Sequence, residues 1–180
     1  MLLPIERDWE GRLLPEADRS LVMASLVTDE LVVTFDVPYF GDPPPPSAAG
    51  STPRLWEHEV VELFIADERE HYLELEFGPH GHYLALELRG VRSIVQQGMP
   101  LVYAARIELA SAPPAVRSGP IGRYRGTARV PMSYLPLPPA RGNAYSIHGA
   151  PDSRCYHAHA AVPGDRPDFH QLECFTPLEW

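Results

Sequence analysis

Four glutamates stand at intervals that could do chemistry. Glu62, Glu74, Glu76 and Glu87 fall in three successive segments of alternating apolar residues. If those segments are neighbouring strands with Val61, Leu63, Ile65, Leu73, Leu75, Phe77, Leu84, Leu86 and Leu88 facing a core, the four carboxylates share the opposite face. Carboxylates gathered there can accept hydrogen bonds from ligand hydroxyls, hold a hard cation, or pair with arginines. Glu62 with Glu74 or Glu76, if about 5–9.5 Å apart, could also form a glycosidase acid pair. The competing reading is a solvated outer face with its charges fanned apart, because like charges placed opposite each other destabilise a sheet. Trp56 and Tyr72 lie close in sequence to Glu62 and Glu74. Aromatic faces beside carboxylates suit a polyhydroxylated ligand, whose C–H faces stack while its hydroxyls donate. For Trp56 the plain alternative is packing at a strand start, and for Trp9 and Trp180 packing near the chain ends is the default.

Histidines supply a second set of candidates. His80 with His82, and His157 with His159, are i, i+2 pairs that align two imidazoles when the chain is extended, and His148 and His170 stand near turn residues. Neutral imidazole is a common metal ligand. No cysteine accompanies these residues at zinc spacing and no DxDxDG loop is present, so no cofactor is expected and a bound metal is the open alternative. Cys155 with His157 reads as unrelated neighbours. Asp168 and His170 are spaced either to brace a loop by an ion pair or to line a cleft. There is no GxSxG, P-loop, GxGxxG or HExxH, and no catalytic residue is assigned.

Strands must position these groups. Residues 21–27 and 31–37 alternate about the turn Thr28, Asp29 and Glu30, and residues 59–65, 72–77 and 83–88 form a meander. Further strands are expected near 101–109, 122–130, 143–149, 154–160 and 169–175, with a helical turn after Pro131. Residues 38–53 carry four consecutive prolines and a Ser/Ala/Gly stretch, and read as a long irregular loop. About ten short strands joined by turns predict an all-β chain, an antiparallel β-sandwich of jelly-roll type.

At 180 residues the expectation is one domain over 1–180. The 21 prolines and 13 glycines favour short segments over long helices. All fifteen basic residues are arginine, and the formal charge of −9 argues against nucleic acid or an anionic membrane as partner. The apolar start is three residues long before Glu6, Arg7 and Asp8, unlike a signal peptide. With two cysteines, Cys155 and Cys174, a reduced cytoplasmic setting is expected, and a bridge between them is disfavoured.

Trp56, Val61, Glu62 and Phe64, followed by Tyr72, Glu74, Glu76, Pro79 and Gly81, match the W-x-x-x-x-V-E-x-F … Y-x-E-x-E-x-x-P-x-G pattern. In this the chain resembles carbohydrate-binding module family 9 and the related DOMON-like domains. Along nearly its whole length, including residues 144–149 and 167–173, it more closely resembles an uncharacterised family of small stand-alone proteins. The resemblance implies a jelly roll in which two tryptophans clamp a terminal sugar and a glutamate holds its hydroxyls. Those roles fall on Trp56 and Glu62. The second tryptophan has no counterpart, and only Tyr156 stands where one would look.

The reading that follows is a binding domain for a carbohydrate or small polar metabolite. Its ligand-contacting candidates are Trp56, Glu62, Glu74, Glu76, His80, His148, Arg154, Tyr156, Asp168 and His170. The alternatives are a metal-dependent or carboxylate-based hydrolase or isomerase, and a protein-interaction module.

Overall fold

The computed structural model describes residues 1–111 and 119–180. Among them lie strands β1 (Leu2–Ile5), β2 (Arg7–Asp8), β3 (Ser20–Val27), β4 (Glu30–Tyr39), β5 (Gly50–Ser51), β6 (Val60–Ala66) and β7 (His71–Phe77), then β8 (His82–Arg89), β9 (Ile94–Gln97), β10 (Val102–Leu109), β11 (Gly122–Pro131), β12 (Arg141–His148), β13 (Cys155–Ala158) and β14 (Thr176–Pro177). They form two sheets, ordered β1-β3-β4-β11-β10 and β2-β13-β12-β6-β7-β8-β5, with β14 on β12 and β9 on β8. Except for the short β5–β8 pair, the ladders are antiparallel. The all-β antiparallel sandwich is therefore the architecture observed. Helical structure among the described residues is confined to three-residue 3-10 turns, one of them at Met132–Tyr134 after Pro131. No helix there is long and apolar enough to cross a membrane.

Two cores flank the second sheet. Between the sheets, Leu31, Val33, Phe35 and Val37 of β4 meet Val61, Leu63 and Ile65 of β6 and Leu73, Leu75 and Phe77 of β7. Gly126 of β11 sits under Phe35, and a Cβ there would lie 2.1 Å from the Phe35 ring. That close approach explains a glycine in the middle of a strand. On the far face, Val60, Phe64, Tyr72, Tyr145 and Ile147 are covered by Phe169, Leu172 and Phe175 from the C-terminal segment. The glutamate-bearing face is thus buried, not solvated.

This double burial overturns one assignment. β7 pairs with β8 so that Leu84 stands opposite Glu76, Leu86 opposite Glu74 and Leu88 opposite Tyr72. These leucines share the far face with the glutamates, while Ala85 fills the inter-sheet core. Glu87 lies on the other face, bonded to His71 Nε2 at 2.9 Å and to Arg89 at 3.0 Å. Alternation fixes which residues share a face, but when both faces are covered it does not say which face is which.

Other expectations also shift. Residues 169–175 are not a strand but a turn and a 3-10 segment at Leu172–Cys174. Phe169, Leu172 and Phe175 point inward at a spacing of three, which is 3-10 periodicity. β4 runs on to Tyr39 through Pro38, so the irregular stretch begins after it, and β5 lies near its end. Pro38 is tolerated because β3 pairs only as far as Asp36 and leaves Pro38 a single neighbouring strand. β1 and β9 were not foreseen; β1 completes the edge of the first sheet against β3. The proline loop is pinned by Glu59, which accepts hydrogen bonds from the backbone N–H groups of Phe40, Gly41 and Asp42 at 2.7, 3.0 and 3.0 Å. Both cysteines are free thiols.

Candidate functional site

The strand register builds the site floor. Glu62 of β6 stands opposite Glu76 of β7 on one side and Tyr145 of β12 on the other. Two residue pairs along, on the same face, Phe64 stands opposite Glu74. All three glutamates are buried: Glu62 is 2% exposed, Glu74 4% and Glu76 0%. One carboxylate oxygen from each lies within 4.8 Å of the others. As carboxylates, Glu74 Oε2 and both oxygens of Glu76 have no hydrogen-bond partner within bonding geometry, and only a proton held between Glu74 and Glu76 would let the two bond to each other.

Such a cluster cannot hold three full charges in a dry site, because burial and mutual repulsion both favour the protonated forms. Burial pushes Glu62 and Glu76 well above the usual carboxylate range, and repulsion from Glu74 adds to both. Glu74 is pushed up to about 7, again by burial.

Above the floor lies a cavity of about 460 Å³, walled by Trp56, Phe64, Ile147, Tyr156, Phe169 and His170. Trp56 occupies a 3-10 turn at Leu55–Glu57 just before β6, where Leu55 is fully buried and Trp56 remains 37% exposed. Arg154 holds this turn, donating to the carbonyls of Trp56 and His58 at 2.7 Å each and to that of Gly149 at 2.9 Å. At the other end, the backbone N–H of Arg92 donates to the Tyr72 hydroxyl at 2.9 Å, and that hydroxyl is 2.8 Å from His170 Nδ1. Asp168 accepts from the Arg92 guanidinium at 2.7 Å and from the His170 backbone N–H at 3.1 Å. His170 Nε2 lies 4.0 Å from Glu74 Oε2. Burial, helped by Arg92, pushes the His170 imidazole down to about 4.

Of the ten candidate residues, Trp56, Glu62, Glu74, Tyr156 and His170 line this cavity. Glu76 adjoins them in the carboxylate cluster, while Arg154 and Asp168 brace the walls from behind. His80 and His148 lie elsewhere. His80 packs against Tyr39, its Nε2 3.3 Å from the hydroxyl, beside the proline loop. His148 stacks on Phe40 with ring centroids 3.4 Å apart. The paired histidines do not converge on a metal site: His82 reaches the Ser47 carbonyl, His157 lies against Ser146, and His159 reaches the Pro4 carbonyl.

Sequence reasoning missed Arg92, Phe169, Leu86 and Leu88 as lining residues. Arg92 has a left-handed backbone, φ 59°, in the turn after β8, and no local pattern marks it. The leucines were missed only because β8 was turned over.

No family model matches the chain. Along its sequence it is 38% identical over 186 residues to the mouse (Mus musculus) UPF0462 protein C4orf33 homolog, covering 98% of this chain and 90% of the mouse protein. The human (Homo sapiens) UPF0462 protein C4orf33 is 35% identical over 195 residues, covering 98% and 86%. Among solved structures, a Bacteroides uniformis protein provisionally assigned as carbohydrate-binding superposes with a TM-score of 0.69 at 12% identity, over 98% of this chain and 84% of its own. That likeness is one of fold.

Proposed function

The chain belongs to the UPF0462 family, and we propose that the pocket above Glu62, Glu74 and Glu76 binds a neutral polyhydroxylated small molecule, with the whole chain acting as one binding domain. One observation carries this reading: Glu62 and Glu74 line an aromatic-walled cavity, Glu74 Oε2 has no hydrogen-bond partner there, and the unpartnered Glu76 adjoins it. A buried acceptor left unpaired costs about 1–3 kcal/mol, so a ligand that supplies O–H donors recovers what the empty site lacks. Trp56 and Tyr156 give apolar faces for the ligand's C–H surface. A volume of about 460 Å³ falls within the range of small-molecule sites. The carbohydrate-binding assignment of the Bacteroides fold neighbour agrees in ligand class, but it is the pocket that supports the reading.

The test is a titration of mono- and disaccharides and linear polyols, in the presence of chelator, followed by calorimetry and tryptophan fluorescence. Saturable binding that weakens at least tenfold in both Trp56→Ala and Glu62→Gln supports the reading. No saturable ligand across the set, or binding indifferent to both substitutions, overturns it.

A further inference from the structure

Among the described residues, no arginine is bonded to the glutamate cluster: Arg154 donates to three carbonyls and Arg92 to Asp168, and both act on the glutamates only at longer range. His170 presents Nε2 toward Glu74, but at 4.0 Å it makes no hydrogen bond with it. Buried charges in proteins are paired or coordinate metals. Here three carboxyl groups converge from two adjacent rigid strands. Independently of that convergence, the fully buried Glu76 offers two oxygens with no partner, and Glu74 offers one.

Size fits one ion. Calcium binds oxygen at about 2.3–2.6 Å, so oxygens across a single ion stand about 4.6–5.2 Å apart. The three glutamates bring an oxygen each within 4.8 Å of one another. The donor set is all carboxylate, which selects hard cations over zinc or copper. The cavity above leaves room for water to complete six to eight ligands, which the three side chains alone do not supply.

We infer that Glu62, Glu74 and Glu76 form a site for one divalent, oxygen-seeking cation of the calcium or manganese class at the pocket floor. Magnesium is the less apt ion, because it demands near-ideal octahedral geometry and gives up its water reluctantly. The inference goes beyond the polyol reading and stands apart from it, since the ion alone is the probe.

The full chain, stripped with chelator and dialysed, would be titrated with calcium, manganese and magnesium chlorides by calorimetry, with manganese also followed by electron paramagnetic resonance. The expected result is one ion per chain for calcium or manganese, with affinity falling at least tenfold in both Glu76→Gln and Glu74→Gln. A near-isosteric amide keeps the packing, and circular dichroism of each variant checks the fold. Absence of saturable binding by any of the three ions, or binding unchanged in both variants, overturns the proposal. Polyol titrations run in chelator fail or succeed independently of this outcome.

Discussion

Glu62 of β6 and Glu76 of β7 face each other directly across an antiparallel pair, both are buried, and neither oxygen of Glu76 has a hydrogen-bond partner. Opposed like charges would destabilise the sheet, so burial and repulsion drive the pair toward protonation, and an unmet buried acceptor adds to the cost. With chelator present, Glu76→Gln is therefore expected to stabilise the protein by about 1–3 kcal/mol, since the amide N–H can donate to Glu62. Urea unfolding of both proteins at neutral pH checks this. A less stable variant would show that Glu76 already has its counterpart.

Leu55 and Trp56 are neighbours in one turn with opposite surroundings. Leu55 is fully buried and Trp56 is 37% exposed at the cavity wall. Leu55→Ala should cost about 2–5 kcal/mol by leaving a cavity in the second core. Trp56→Ala should cost less than about 1.5 kcal/mol while removing ligand-induced fluorescence change. Equal losses of stability would mean that Trp56 is a packing residue.

The contrast shows what the sequence makes legible. Strand content and the shared face of Glu62, Glu74 and Glu76 follow from period-two alternation, which holds wherever a segment is extended. The face of β8 does not follow, because Leu84, Leu86 and Leu88 would be equally buried in either core. Nor does the 3-10 segment, since Phe169, Leu172 and Phe175 cover residues of β6 and β7 more than eighty residues earlier in the chain as well as the nearer β12. Residue type, the i, i+2 spacing of His80 with His82 and the turn-side position of His148 group these two with the site, but none of these fixes where a ring points. The structure commits them to ring contacts with Tyr39 and Phe40 instead.

His148 and His157 predict a pH dependence. Their rings lie 5.2 Å apart and are buried, and burial pushes His148 down to about 3 and His157 to about 4. Unfolded histidines take up protons near pH 6.5. Between that value and the folded ones the unfolded histidines bind more protons, so their contribution to stability is full above pH 6.5 and falls as the pH drops toward 4, while the raised carboxylates Glu59, Glu62, Glu74 and Glu76 contribute with the opposite sign. The loss approaches about 1.4 kcal/mol per pH unit per histidine. Urea midpoints measured at pH 7, 6 and 5 for the wild type and His148→Gln check the slope. The stability of the variant relative to the wild type should grow as the pH falls, and a difference that stays constant with pH would refute the assignment to His148.

Asn143 carries the remaining prediction, because it joins the sheet to the segment that roofs the pocket. Fully buried, it accepts from the backbone N–H groups of Ala144 and Ala160, at 2.9 Å each, through Oδ1. Nδ2 donates to the Ala160 carbonyl at 3.0 Å and to the Tyr145 hydroxyl at 2.8 Å. That hydroxyl in turn donates to the Phe169 carbonyl at 3.4 Å, and the Tyr145 and Phe169 rings stack 3.8 Å apart. Asn143→Leu keeps the branched outline, with bulkier methyl ends, but strands these backbone groups, at about 1–3 kcal/mol for an unsatisfied buried group. A loss of about 3 kcal/mol or more is expected, with faster amide exchange at Ala160. Because Phe169 walls the cavity, ligand affinity should fall as well although Asn143 does not line it. Unchanged exchange at Ala160 would show that the segment is held by its apolar contacts alone.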